Sequence, residues 1–496
     1  MTRNVALVVL DTVRKDTFDE YAPRLRRRSG SSFEQARAAS SWSTPSHTSM
    51  FTGDLPSEHG VHAEHFDSTF DFSDFDVDDT FYGDLPEHRR VGLSANSYIN
   101  PHFGYDELFD SFHDFSIGSH TAESLFTEGK TVQEYMKRTD EPSAAKRHLG
   151  FLRECIEHDR PAKSVANGVW ALLGPKLKQW DVPFPEFVDD GASVITDTTV
   201  EEAERGPEPT AFFLNYMDAH TPLRNLYQHD DGIHDVPNSW SSTEIDKWEL
   251  NEDGLATDEY AENYRDVYRA AVDYLDRTVV DLIDRVQAAT ERETTFVIVS
   301  DHGHNLGYDA DDGLWHHTGS MSEGVMHTPL EIVNPPKGYH ETEDRLFSHL
   351  HLGDLLVDLA NERPLDDTYF QDRIPAETVG LLGGDNRTWG REFSEETFAW
   401  WDRMMRVVYG EPSAESDRTA PVKRQWNSLG ERFRYRLDRD RPSWQELAAE
   451  DVDVPAADRA LFAEPLEEYK RAAAATEQDT DFDEDVEDHL KQLGYL

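Results

Sequence analysis

Three separated runs of apolar residues each end on side chains that bind metals or move protons. Residues 5–10 (Val-Ala-Leu-Val-Val-Leu) stop at Asp11. Residues 210–216 lead into Met217-Asp218-Ala219-His220, and residues 295–300 lead into Asp301-His302-Gly303-His304. Short continuous apolar runs suit strands buried on both faces, as in parallel sheets. A further run, Arg90-Val91-Gly92-Leu93-Ser94-Ala95, reads as a strand that ends at Asn96. Helix-type segments lie between the strands. The longest covers 258–289, where apolar residues such as Tyr264, Val267, Tyr268, Ala271 and Leu275 recur every three or four positions. Strands alternating with helices predict an α/β fold with a mainly parallel central sheet and helices on both faces. Ligands of such sheets bind beyond the carboxyl ends of the strands. One Asp after a strand is commonplace, but three such endings together predict a metal and anion site.

A hydroxyl-rich segment supplies the other half of that site. It reads Ser41-Trp42-Ser43-Thr44-Pro45-Ser46-His47-Thr48-Ser49-Met50-Phe51-Thr52-Gly53. Pro45 suits the first position of a helix, which makes Thr44 the expected N-cap and puts Ser43 just before the helix. Free N–H groups and partial positive charge at that end attract anions, so Ser43 is placed to attack or hold a phosphate- or sulfate-like group. Taken alone, the segment reads first as an ordinary capped helix. Asp11, Asp301 and His302 offer two oxygens and one imidazole nitrogen. That set suits one divalent cation of intermediate hardness, calcium or manganese before zinc. His220 is the candidate donor of a proton to the leaving oxygen, and His316 and His317 are candidates to stabilise charge on the transferred group.

Composition narrows the partners. Asp and Glu total 99 against 48 Lys and Arg, for a formal charge of −51, and only 12 of the 48 are Lys. The acids are spread through the chain, which predicts a solvated acidic surface of the kind found in proteins of salt-loving organisms. Nucleic-acid partners, which need basic patches, are not expected. The single cysteine, Cys155, excludes a disulfide framework and reads as a buried thiol on a helix face. No apolar run approaches the length of a membrane span, and the opening run reads as a strand rather than a signal peptide, so a cytoplasmic protein without membrane partners is expected.

The organisation along the chain follows. A catalytic α/β part is expected over 1–340, with helices at 144–158 and 165–173 inside an insertion at 120–205. The Asp- and Phe-rich residues 66–80 read as an exposed loop. Period-two patterns at 403–409 and 432–437 predict antiparallel strands in a smaller C-terminal α+β subdomain over 341–496. Residues 486–496 read as a short amphipathic helix.

The hydroxyl-rich segment resembles the signature of the sulfatase family, within the alkaline phosphatase superfamily. That signature is Cys or Ser, any residue, Pro, Ser, Arg, four residues, then Thr-Gly. Here it reads Ser43-Thr44-Pro45-Ser46-His47, then 48–51, then Thr52-Gly53, followed by Pro56 and His59-Gly60-Val61. His47 stands where the family usually has Arg. Asp301-His302-Gly303 is similar to the family's second metal segment, and Asp11-Thr12 to a variant of its first that lacks the usual second Asp. Residues 216–222 are similar to its leaving-group histidine segment. The usual Lys before Gly319 falls on His317 or Thr318.

The resemblance implies a metal-dependent hydrolase. Asp11, Ser43, Asp301 and His302 would hold the metal, and Ser43, His47, His220 and His317 would be catalytic. It also implies that Ser43 can be oxidised to formylglycine, whose hydrated aldehyde attacks sulfur and later expels sulfate. A plain serine would leave a sulfate ester that is hard to release. Hydrolysis of small-molecule sulfate esters is therefore the first expectation. A phosphoesterase or phosphonate monoester hydrolase with unmodified Ser43 is the alternative, and a catalytically silent anion-binding member is a third. Phosphatase relatives with two metals need an Asp and a His four residues apart. Asp218 and His220 are two apart, which predicts one metal.

Overall fold

The computed structural model describes residues 2–475, apart from 67–69, 73–74, most of 117–143, 159, 179–185, 383–390 and 411–420. The helix expected at 486–496 lies outside the described residues. A large sheet takes strands β1 (Asn4–Leu10), β2 (Ser29–Phe33), β3 (Arg89–Ser94), β4 (Ser111–Asp114), β5 (Thr210–Tyr216), β6 (Thr294–Val299), β7 (Leu330–Val333) and β8 (Thr342–Glu343). Their order across the sheet is β8-β2-β7-β6-β1-β5-β3-β4. β6, β1, β5, β3 and β4 run parallel, and β7 is antiparallel to both neighbours. The expected α/β class with a mainly parallel sheet is therefore observed.

Every residue of β1, β5 and β6 is buried, so these strands carry apolar side chains on both faces. Ala6, Val8 and Leu10 of β1 pack with the long helix Asp258–Ala289. Val5, Leu7 and Val9 point the other way, into a core that holds Met50, Phe51 and the helix Leu352–Ala360. A five-stranded antiparallel sheet follows, β9 (Arg373–Thr378), β10 (Met405–Gly410), β11 (Val422–Asn427), β12 (Arg432–Leu437) and β13 (Gln445–Glu450), paired in chain order. It contains the two segments expected as antiparallel strands. Among the described residues, no helix is long and apolar enough to cross a membrane.

Two expectations are corrected. The Asp- and Phe-rich stretch is not simply an exposed loop: Phe66 and Phe72 are buried, as is Phe81 just after it. Phe66 meets Trp42 edge-on at 5.8 Å, and Phe72 stacks on Tyr105 at 4.1 Å. The rings turn inward while Asp71, Asp76, Asp78 and Asp79 stay wet, because burying an aromatic gains far more than burying a carboxylate. The second correction concerns the hydroxyl-rich helix, here α1, which spans Ser43–Thr52. Its N-cap is the extended Trp42 and not Thr44, so Ser43 is the first helical residue and Pro45 the third. Pro45 is tolerated there because its nitrogen would still have no intrahelical partner.

Candidate active site

The carboxyl edge of the parallel strands carries the site. Asp11 follows β1, Asn96 lies two residues past β3, His220 four past β5, and Asp301 and His302 directly behind the β6 edge. α1 brings its first turn onto the same edge. Gly53 closes α1 in the left-handed conformation at φ 80°, with its N–H on the Ser49 carbonyl. Residues 43–51 are all buried although most are polar, which places hydroxyls and one imidazole in the dry interior of the site.

Asp11, Asp301 and His302 converge. One ligand atom of each lies within 4.8 Å of the others, and all three residues are fully buried. Asp11 Oδ2 accepts from Asn96 Nδ2 at 2.8 Å and from Ser43 Oγ at 3.3 Å. Asp301 Oδ1 accepts from the backbone N–H groups of His302 at 2.9 Å and Thr12 at 3.3 Å. His302 donates Nδ1–H to the Gly303 carbonyl at 2.8 Å, so its Nε2 carries a lone pair. That nitrogen lies 3.3 Å from Asp301 Oδ2. Among the described residues, Asp11 Oδ1, Asp301 Oδ2 and His302 Nε2 have no hydrogen-bond partner.

Three buried acceptors facing one another without a donor are costly unless a cation joins them. Electrostatics say the same. Burial, then the Asp301 charge, push the Asp11 carboxyl well above its ordinary range. Burial also acts to raise Asp301, but its surroundings, with the two N–H donors among them, hold it below the usual carboxylate range. The donor set fits a divalent cation.

The turn after β1 is built for this. Thr12 adopts φ 61°, a left-handed conformation uncommon for a non-glycine residue, and so aims its N–H at Asp301. Its hydroxyl is spent on backbone, donating to a carbonyl at Asp11 (2.7 Å) or Ala219 (3.1 Å). Tyr268 of the long helix donates to the Thr12 carbonyl at 2.7 Å and accepts from the Arg14 N–H at 2.9 Å, which fixes the strained turn.

The histidines sort into two groups. His317 donates Nδ1–H to the Ser41 carbonyl at 3.1 Å, and its ring lies 4.4 Å from His302 and 5.8 Å from His220. His220 donates Nδ1–H to the Thr221 carbonyl at 2.6 Å. Spending Nδ1 on backbone leaves Nε2 as the nitrogen that can act in both. Burial pulls His220 down to about 4, and burial with the neighbouring His302 pulls His317 well below its ordinary value, so both rings rest neutral. His316 does not join them. It pairs with Asn305 in a short ladder, and its ring lies 5.3 Å from His304.

His47 sits beneath Ser43. Asn215 Nδ2 donates to its Nε2 at 3.0 Å, so Nδ1 holds the proton and donates to the Ser43 carbonyl at 2.8 Å. Burial lowers its pKa further, and it rests as a neutral brace 3.6 Å from Asp301. Asp218 turns away from the cluster: it accepts from the Asp190 N–H at 3.1 Å, and the Asp189 and Asp190 charges bear on it. Among the described residues, the one group of this kind is Asp11, Asp301 and His302. Sequence reasoning missed Asn96, Asn215 and Tyr268. A single Asn or Tyr at a strand end or on a helix face carries no pattern, and the nearest signal was that β3 ends beside Asn96.

Comparison with known proteins adds a family. The sulfatase family profile matches residues 100–362, more than half of the chain. The match contains His220, Asp301, His302 and His317, while Asp11, Ser43, His47 and Asn96 lie before it. No curated protein sequence matches the chain. Solved structures of similar fold include a phosphonate monoester hydrolase from Silicibacter pomeroyi, at 15% identity and TM-score 0.54, covering 86% of this chain and 87% of that one. The phosphonate monoester hydrolase of Agrobacterium radiobacter is 14% identical at TM-score 0.54, covering 89% and 90%. A 2-O GAG sulfatase is 13% identical at TM-score 0.55, covering 97% and 95%. At such identities the likeness is one of fold.

Proposed function

The chain belongs to the sulfatase family of the alkaline phosphatase superfamily, and from that premise we propose that it hydrolyses small-molecule sulfate esters through Ser43 or a formylglycine made from it. The observation that carries this reading is the set of three unpartnered ligand atoms on Asp11, Asp301 and His302, with the Ser43 hydroxyl 3.3 Å from Asp11. These residues, with Ser43, would hold one divalent cation, calcium or manganese before zinc. Such a cation would polarise a non-bridging ester oxygen and favour the ionised nucleophile.

The chain's own groups do the rest. Asn96 orients Asp11 through its 2.8 Å hydrogen bond. His47 holds the Ser43 carbonyl and so fixes the first turn of α1. His220 passes a proton from Nε2 to the leaving alcohol oxygen. Its low resting pKa means that it takes up this proton only once a bound anionic ester lies beside it. His317 steadies the oxygens of the transferred group.

The division into a catalytic part, 1–340, with an insertion at 120–205, and a C-terminal subdomain, 341–496, belongs to the same proposal. The separate five-stranded sheet supports it. β8 and the helix Leu352–Ala360, which join the large sheet and its core, favour a seam nearer residue 365. A salt-adapted, cytoplasmic setting is also part of the reading, supported by the acid excess and the single cysteine.

His47 favours the second reading, a phosphoesterase or phosphonate monoester hydrolase with unmodified Ser43. A neutral ring locked between Ser43 and Asn215 supplies none of the positive charge of the usual Arg. A phosphorylated serine can be cleared by water at phosphorus, whereas a sulfated serine resists that route. Mass spectrometry of the Ser43 peptide from protein made in its own host separates the two, together with turnover of aryl sulfate, phosphate and phosphonate esters. A peptide lighter by two hydrogens, with sulfate turned over fastest, is the expected result. An unmodified peptide from active protein that prefers phosphate or phosphonate promotes the second reading. No turnover with any divalent cation, alongside measurable anion binding, leaves a silent anion-binding member.

A further inference from the structure

The outer face of the antiparallel sheet carries an arginine-rich cavity, at the opposite end of α1 from Ser43. Alternation along β12 turns Phe433, Tyr435 and Leu437 toward the core and puts Arg432, Arg434 and Arg436 on the other face. Arg406 of β10, Trp426 of β11 and Arg432 of β12 stand directly opposite one another, so one row across three strands reads Arg-Trp-Arg. Residues 454–467 fold over this row, and about 600 Å³ of open space remains between them. Asp458 fixes that cover: it is fully buried and pairs with Arg373 at 3.0 Å and Arg424 at 3.3 Å on the sheet. Its neighbour Arg459 lines the cavity together with Arg406 and Arg432. Leu55, just past the end of α1, packs with Trp426 and Phe462. α1 is ten residues long, so Ser43 lies about 15 Å away along its axis. The cavity is therefore separate from the reacting centre.

Its guanidiniums are not used up by the fold. Arg406 is 2% exposed, and it donates from Nε to Glu377 at 2.9 Å and from Nη1 to the Glu464 carbonyl at 2.6 Å. Among the described residues, its Nη2 has no hydrogen-bond partner, nor has the Nε of Arg432. Glu377 balances the Arg406 charge, but Arg432 and Arg459 form no ion pair among the described residues. That is unexpected in a chain with 99 acids against 48 bases. Two carboxylates also line the cavity, Glu464 and Glu467, both on exposed residues. Glu467 lies in the first turn of the helix Leu466–Ala473, whose own N-terminus offsets its charge. Trp426, Phe462 and Val454 supply apolar wall. Phe462 meets Trp426 edge-on at 5.5 Å, and its ring centre lies 4.3 Å from Arg406 Cζ. Guanidiniums match the oxygens of carboxylate, sulfate and phosphate groups. The volume falls within the roughly 300–1,000 Å³ of small-molecule sites.

We propose that this cavity is a second binding site, for a small organic oxyanion. Arg432 and Arg459 hold its charged oxygens, and its apolar body rests against Trp426, Phe462 and Val454.

Calorimetric titration with naphthalene-2-sulfonate and its neutral counterpart naphthalene-2-sulfonamide tests this, in about 0.3 M potassium chloride to screen the acidic surface. The native protein should bind the sulfonate about tenfold or more tightly than the sulfonamide. Arg432→Gln combined with Arg459→Gln should weaken sulfonate binding about tenfold to a hundredfold, the usual loss of charge-assisted contacts. Arg432→Lys combined with Arg459→Lys should keep part of it. Since neither arginine has an ion pair, these variants should melt as the native protein does. Arg459→Gln alone, at an exposed position, serves if the double variant does not fold. Asp301→Asn, at the reacting centre, should leave sulfonate binding unchanged. Equal binding of the two probes overturns the proposal, as does no binding by the native protein or unchanged binding by the Gln variants. Loss of binding in Asp301→Asn would put the sulfonate at the reacting centre and overturn it equally. The test needs no ester turnover, so its outcome is independent of the esterase reading.

Discussion

Asp11 and Asp301 face one another in a site with no water-facing surface, and each responds differently. Asp11 is driven toward its protonated form by burial and by Asp301, while the backbone N–H groups of His302 and Thr12 favour the ionised form of Asp301. A divalent cation would relieve the pair, and loss of either charge should remove that need. Asp301→Asn keeps an acceptor for the Thr12 and His302 N–H groups but halves the negative charge. We expect the native protein to gain thermal stability with added manganese or calcium, by roughly 3 kcal/mol at a hundredfold excess over Kd. The Asn variant should fold, melt near the metal-free native value, and gain nothing. Calorimetric titration checks the same point. A variant that binds the cation as the native protein does would remove Asp301 from the ligand set.

At the scale of elements, the site depends on how closely the turn after β6 approaches its neighbours. The Gly303 N–H donates to the Val325 carbonyl at 2.6 Å, and a Cβ on Gly303 would meet the Gly324 carbonyl oxygen at 2.1 Å. Both partners are backbone of the short helix Glu323–Met326, which cannot give way as a side chain would. Gly303→Ala should therefore cost about 3 kcal/mol in a denaturant or thermal melt. It should also weaken cation binding, because His302 must move with the turn. Unchanged melting would mean that the segment is looser than its hydrogen bonds imply.

The elements behind this geometry were unevenly legible. β1, β5, β6 and the helix Asp258–Ala289 could be read directly, because full burial leaves uninterrupted apolar runs and a long helix repeats its face many times. The convergence of Asp11, Asp301 and His302 followed from strand ends sharing one edge. The ring cluster of Phe66, Phe72 and Phe81 was hidden, since rings set among acids at irregular spacing have neither a two- nor a 3.6-residue period. The start of α1 was misplaced by a cap, because Pro fits the third helical position as well as the first. Asn96 and Asn215 were invisible for a different reason: their roles come from which strands are neighbours, which no local pattern encodes.

At the scale of the whole molecule, the charge of −51 is the dominant fact, and a part of the compensating basic charge is locked inside. Arg14 pairs with Asp311, Arg37 with Glu323 and Arg406 with Glu377, all with side chains at most 3% exposed. Buried pairs of this kind are little affected by salt, so the surface repulsion is what salt can change. Spreading 51 net charges over 21631 Å² gives one per about 420 Å², or a spacing of about 20 Å. The Debye length is about 30 Å in 0.01 M salt, longer than that spacing, but about 10 Å at 0.1 M and 3 Å at 1 M. Repulsion between neighbouring charges should thus be strong at the first concentration, largely gone at the second and absent at the third. Exposed ion pairs such as Arg28–Asp284 weaken over the same range, but each contributes at most about 1 kcal/mol. The melting temperature should therefore climb steeply from 0.01 to about 0.3 M potassium chloride and only gently beyond. Choline chloride should reproduce the climb, because the effect is screening and not site binding. A midpoint that stays flat or falls across the lower range would mean that the acidic surface does not strain the folded state, and that its charge serves solubility alone.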